Sequence, residues 1–176
     1  ATARKPMRLL VTGGFGYIGG RLVEAFTNDP RFHIRVLARS IPTGLSEGAE
    51  SAEVVMADVT KAESLADAFE GMETVVHLAS LDEVECAQDQ MAALEVNVRG
   101  TINVLQEAQR AGVKRFVYFS TLRVYGDGLS GAIHEGMAPQ PAHPYGITHL
   151  AAEQYVRQAT MTSDMIGMSM RLSNAV

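Results

Sequence analysis

Short apolar runs rich in β-branched residues alternate with longer stretches of helical periodicity along the whole chain. The runs are MRLLVTG at 7–13, HIRVLA at 33–38, AEVVMA at 52–57, TVVHLA at 74–79, RFVYFS at 115–120 and MIGMSMRLS at 165–173. Between them the spacing predicts helices near 17–28, 61–70, 88–111 and 145–160, with a loop rich in Gly, Pro and His over 126–144. Strands that read as nearly unbroken apolar runs are buried on both faces, which is the habit of parallel sheets covered by crossover helices. Right-handed crossovers then give an α/β fold, a Rossmann-like doubly wound parallel sheet ordered 3-2-1-4-5-6 with helices on both faces. No internal repeat, low-complexity tract or linker interrupts 1–176, so one domain is expected. The chain stops after its sixth strand, and no separate C-terminal substrate domain is expected within it.

Composition narrows the work of that domain. With 47% hydrophobic and 20% charged residues in 176, the chain has the make-up of a globular unit with a sizeable core. A formal charge of −5, with lysines and arginines scattered, speaks against nucleic-acid or membrane-surface binding, since either needs a basic patch. A small-molecule partner is the expectation. No apolar run approaches the roughly 18 residues of a membrane span, and no signal-like segment precedes the first glycines, so a cytoplasmic setting is expected. The single cysteine, Cys86, can form neither an internal disulfide nor a multi-cysteine metal site; it reads as a small, half-buried apolar residue, and no metal is expected.

The first chemical signal is TGGFGYIGG at 12–20, between the first strand and its helix. Gly13, Gly16 and Gly19 fit G-x-x-G-x-x-G, while Gly14, Gly16 and Gly19 fit G-x-G-x-x-G, and the spacing leaves the subtype open. In either form the glycines permit a tight turn and a close approach to a pyrophosphate, held by the unpaired amides of the helix start. The end of the second strand reads VLARS, with Ala38 where an NAD site usually carries Asp or Glu, followed by Arg39 and Ser40. With no carboxylate to repel a 2′-phosphate and a guanidinium to pair with it, NADP is favoured over NAD. Asp58, after the third strand, is placed to accept a hydrogen bond from the adenine amino group, or to serve as an acid at a helix N-terminus.

Taken in order, TGGFGYIGG, VVHLAS, NVRGTINVLQEAQRAGVKRFVYFST, VYG, PYGITHLAAE and MRLSN resemble the extended short-chain dehydrogenase/reductase family, in its NAD(P)-dependent epimerase/dehydratase branch. The resemblance implies hydride transfer at a carbinol or carbonyl carbon, often of a nucleotide sugar. It makes Thr121 the hydroxyl that orients the substrate oxygen and Tyr145 the acid/base, with His149 four residues on. The cofactor-lining set it implies is Gly13, Gly16, Tyr17, Ile18, Gly19, Arg39, Ser40, Asp58, Val59, Leu78, Ala79, Ser80 and Asn97, together with Tyr145 and His149. His77 stands in the same cofactor-lining segment. It also implies a homodimer through the helices near 88–111 and 145–160, with Met91, Leu94, Leu150 and Ala151 as contact candidates. The chemistry is reasonable without the name: hydride transfer makes or removes an alkoxide, which needs a proton donor or acceptor and a neutral hydroxyl beside it.

Two departures from the family pattern constrain the function. Dehydratases of this branch follow the threonine with an acidic pair, whereas Leu122 and Arg123 stand here, which argues against water elimination. The family's lysine, four residues after the tyrosine, is replaced by His149. An imidazole with an ordinary pKa near 6.5 is mostly neutral at pH 7, so it is a poorer cation than lysine. The expected function is an NAD(P)-dependent oxidoreductase or epimerase-type enzyme; the alternatives are a weakened or inactive NAD(P)-binding sensor or scaffold, or a fragment of a longer active enzyme.

Overall fold

The computed structural model describes residues 5–44 and 50–173. Six parallel strands form one sheet: β1 (Met7–Thr12), β2 (Phe32–Ala38), β3 (Glu53–Met56), β4 (Thr74–His77), β5 (Arg115–Thr121) and β6 (Ile166–Leu172). Their order is β3-β2-β1-β4-β5-β6, the doubly wound arrangement expected from the sequence. The order reverses beside β1, whose Thr12 stands opposite Leu37 of β2 on one side and His77 of β4 on the other. Ligand crevices in such sheets open at that reversal, beyond the C-terminal strand ends.

Successive side chains of a strand point to opposite faces, so each central strand serves two cores. On one face Leu9, Val11, Ile34, Val36 and Val76 pack against Val23 of helix α1 (Tyr17–Thr27). On the other, Leu10, Val75, Phe116 and Tyr118 meet Leu105 and Val104, and Ala152 and Val156. These belong to α3, made of the consecutive segments Gln90–Ala93, Leu94–Arg99 and Gly100–Arg110, and to α4 (Pro144–Thr162). A short helix α2 (Glu83–Gln88) precedes α3. Among the described residues no helix is long and apolar enough to cross a membrane.

Three expectations are corrected. The helix near 61–70 is instead two 3-10 turns, Ala62–Ser64 and Ala66–Phe69. The carbonyls at the end of the second are gathered by the buried Arg35, whose Nη1 donates to the Ala68 oxygen at 2.9 Å and the Glu70 oxygen at 3.1 Å while Nη2 pairs with Glu53 at 2.9 Å. The helix near 88–111 begins instead at a break. Asp89 is extended (φ −141°), accepts from the Ala92 amide at 2.9 Å and so starts a new helix after α2. Within α3, Leu94–Arg99 is a π-turn, with the Gly100 amide reaching the Glu95 oxygen five residues back. Cys86 is fully buried rather than half-buried, between Leu81 and Asn97.

Candidate functional site

A cleft runs along the C-terminal strand ends, and Gly13, Gly16 and Ser80 border both of its halves. The glycine loop forms its floor. Gly13 has φ +67°, and a Cβ there would meet the Ala79 amide nitrogen at 2.8 Å, so the turn after β1 requires glycine. A Cβ on Gly19 would collide with the Gly13 carbonyl oxygen, which fixes how closely α1 follows the loop. Gly16 caps α1 without a side chain, and no acid lies in its first turn. By contrast, Asp82 and Glu85 form a capping box on α2, Asp89 caps α3, and His143 Nδ1 accepts from the Tyr145 amide at the start of α4. The start of α1 is thus a positive helix end without a side-chain cap, and Gly16, Tyr17, Ile18 and Gly19 border the cleft there, which suits an anion.

One half of the cleft is bordered by Ala38, Arg39, Ser40, Asp58, Val59, Ala79 and Ser80. Asp58 Oδ1 accepts from the Thr60 amide at 2.9 Å and its hydroxyl at 2.8 Å. Burial works to raise the Asp58 pKa, but the Thr60 hydrogen bonds and the nearby Arg39 and Lys61 charges hold it below the usual carboxylate value. Asp58 therefore remains ionised opposite an exposed Arg39. No carboxylate takes the place of Ala38 at the β2 end.

The other half is bordered by Tyr17, Ile18, Gly19, Leu78, Ser80, Thr121, Arg123, Tyr145 and His149. Tyr145 enters from the first turn of α4 and Thr121 from the end of β5. Burial raises the Tyr145 pKa above 10, the neighbouring Cys86, Glu83 and Asp82 oppose a phenolate, and a hydrogen bond with Thr121 works the other way. The phenol is held as a proton donor. Arg123, in the turn Leu122–Tyr125 after β5, pairs with Glu83 at 3.3 Å and Asp127 at 3.2 Å, so its charge is already balanced.

His149 does not behave as the imidazole of ordinary pKa expected from the sequence. It is 1% exposed, and burial lowers its pKa to about 4. Its Nδ1 lies 2.7 Å from the Tyr118 hydroxyl, and its ring meets that of Tyr145 edge-on at 4.4 Å. Neutral imidazole thus occupies the place where the resemblance puts a cation.

His77 is fully buried and borders neither half of the cleft, but it organises the segment that does. Thr12 Oγ1 accepts from the Leu78 and Ala79 amides, each at 3.2 Å, and lies 2.6 Å from His77 Nδ1. The Thr101 hydroxyl spends its proton on the Asn97 carbonyl at 2.7 Å, so at its 2.9 Å contact with His77 it accepts, and Nε2 carries the ring proton. The chain of bonds ties the post-β4 segment to α3. Asn97 borders neither half of the cleft: Oδ1 accepts from the Leu81 amide at 2.7 Å and Nδ2 donates to Thr148 at 3.1 Å, so it supports the site from behind. The other implied lining residues do border the cleft. Sequence reasoning missed Thr12 and Tyr118, and also the buried Glu153, which accepts from Ser120 at 2.5 Å and pairs with Arg171 at 2.6 Å. Their partners lie 18 to 67 positions away, and no local motif signals them.

The profile of the NAD dependent epimerase/dehydratase family matches residues 9–176. The chain belongs to that family. Among curated relatives it is similar to mouse (Mus musculus) 3 beta-hydroxysteroid dehydrogenase type 7, at 32% identity over 161 residues covering 85% of this chain and 44% of that protein. It is likewise similar to dTDP-glucose 4,6-dehydratase of Mycobacterium tuberculosis, at 34% identity covering 86% of this chain and 48% of that protein. Among solved structures, the UDP-glucose 4-epimerase of Thermus thermophilus in complex with NAD superposes with a TM-score of 0.84 at 29% identity, covering 94% of this chain and 54% of that one. The chain spans about half the length of these family members.

Proposed function

We propose that this domain binds a nicotinamide dinucleotide along the cleft and serves an oxidoreductase or epimerase acting at a carbinol or carbonyl carbon of a nucleotide sugar or related small molecule. The observation that carries the reading is the pairing of an uncapped α1 start with a Thr121–Tyr145 hydroxyl pair at the other end of the same cleft. Bound there, the cofactor would supply or accept a hydride. The start of α1 holds the pyrophosphate, and Arg39 beside Ala38 favours a 2′-phosphate, hence NADP over NAD. Thr121 orients the substrate oxygen, and Tyr145 gives it a proton as it gains negative charge. Because burial and the nearby Glu83 and Asp82 carboxylates oppose the phenolate, the site suits proton donation, and reduction, better than proton removal.

Fluorescence titration of the protein with NADPH and NADH tests the binding. NADPH should bind about tenfold more tightly, the worth of one charge-assisted hydrogen bond, and Arg39→Asp should reverse the order. Failure of both nucleotides to bind refutes the reading. With a turned-over substrate in hand, Tyr145→Phe should lower kcat by at least about a hundredfold while nucleotide affinity stays within about twofold.

A further inference from the structure

The Tyr118–His149 pair sits where the family resemblance would place a cation, and hydrogen-bond accounting determines its protonation. Tyr118 is 2% exposed, and the His149 ring is its hydrogen-bond partner, 2.7 Å away at Nδ1. His149 Nε2 is buried and has no partner among the described residues. If the phenol donates to Nδ1, one group is left unmatched, the Nε2–H. If Nδ1 carries the proton, two are left unmatched: the phenol hydrogen and the Nε2 lone pair. Unmatched buried polar groups are costly, so the first arrangement prevails. His149 borders the same half of the cleft as Tyr145, and with Nδ1 tied back to β5 the ring nitrogen left without a partner there is the buried Nε2.

Building on the proposed nucleotide site, we infer that Tyr118 is a positioning residue that locks His149 as the neutral Nε2–H form, making it an uncharged hydrogen-bond donor to an acceptor oxygen of the ligand beside Tyr145. The site thereby keeps a donor in the cation's place without needing a charge. Protonating His149 would turn Nδ1 into a donor and strip the Tyr118 hydrogen of its acceptor, so the pair resists titration. The surroundings add to that resistance. Facing the pair are Tyr145 and Glu153 of α4, His77 of β4 and Cys86 of α2; Glu153 is already bound to Arg171 and Ser120, and the others are neutral in their buried state. Burial drives the Tyr118 pKa well above 10, keeping its proton available to donate at every working pH.

Nitrogen-15 NMR of the histidines, with His149 assigned through His149→Gln, tests this on the ligand-free protein. The Nε2–H form should persist through pH values around the free imidazole value of about 6.5. An Nδ1–H form, or a titration midpoint near about 6.5, overturns the lock. Tyr118→Phe should give a mixture of the two neutral forms and weaken NADPH binding about two- to tenfold, the worth of one positioned hydrogen bond; an unchanged tautomer in that variant overturns the role of Tyr118. Saturating NADPH should shift the wild-type Nε2 resonance. Binding seen by fluorescence with no such shift overturns the donor role alone. Loss of NADPH binding altogether instead refutes the nucleotide reading, while the tautomer result stands on the ligand-free protein.

Discussion

His77 and His149 show how single side chains can hold a site and also limit the conditions it tolerates. Both are buried as neutral rings, with pKa values lowered to about 3 and about 4 by burial, His77 also by its neighbour His149. In the unfolded chain each returns to an ordinary value near 6.5, so below that pH the unfolded state takes up protons that the folded state refuses. Stability is therefore full above about pH 6.5 and falls on acidification, by at most about 1.4 kcal/mol per pH unit for each ring, until the folded pKa is reached. Carboxylates held low, such as Glu53 and Asp58, lose their contribution only below their own unfolded values near 4, a lower window. Denaturant unfolding between about pH 6.5 and 4.5 should show this slope, and His149→Gln should make it shallower by about half; an identical slope in the variant would refute the account. At this scale the sequence was legible where residues sit within one motif, as Tyr145 and His149 do. It was silent on Tyr118, because a contact between residues 31 positions apart depends on how β5 and α4 pack.

At the scale of elements, the six strands were legible because strands buried on both faces must be apolar throughout, whatever packs on them. Helices covering the sheet were less legible, because their form depends on what they meet. The segment 61–70 has helical spacing, yet it folds as two tight turns, the second of which ends on carbonyls held by Arg35 of β2. The start of α2 did leave a trace, since Asp82 and Glu85 have the spacing of a capping box. The π-turn at Leu94–Arg99 left none, and it lies where Asn97 joins three elements. Asn97 accepts from Leu81, donates to Thr148 at the start of α4 and touches Cys86 of α2. Asn97→Ala should cost about 1–3 kcal/mol, because the Leu81 amide loses its acceptor while Thr148 still donates to the Pro144 carbonyl, whereas Asn97→Asp keeps that acceptor but puts a carboxylate where Asn97 is 1% exposed and should cost more. Denaturant midpoints of both variants check the ranking. A smaller loss in Asn97→Asp than in Asn97→Ala would show that the Leu81 bond outweighs the buried charge and would overturn the ranking.

For the whole molecule, the uncovered apolar positions are unevenly spread. Met91 and Leu94 on α3 are 67% and 44% exposed, and Val98 and Ile102 continue their stripe half-buried at helical spacing. On α4, Ile147 and Tyr155 are 47% and 43% exposed, with Leu150 and Ala151 half-buried between them. The two helices pack beside each other, so the stripes lie on neighbouring elements. An apolar face of this kind is a liability on a free surface and an asset in an isologous contact, where one patch serves both copies. We propose that α3 and α4 pair with their counterparts about a two-fold axis, which would leave the cleft of each copy open to ligand from its own strand ends. Light scattering at tens of micromolar, on the order of where such contacts saturate, should give twice the chain mass. Leu94→Glu combined with Ile147→Glu should give the monomer, since each copy then sets like charges against the other without disturbing a buried position. NADPH affinity should stay within about twofold in that monomer, because no residue of the stripes borders the cleft. A wild-type monomer at these concentrations would overturn the assembly and leave the site's chemistry as argued.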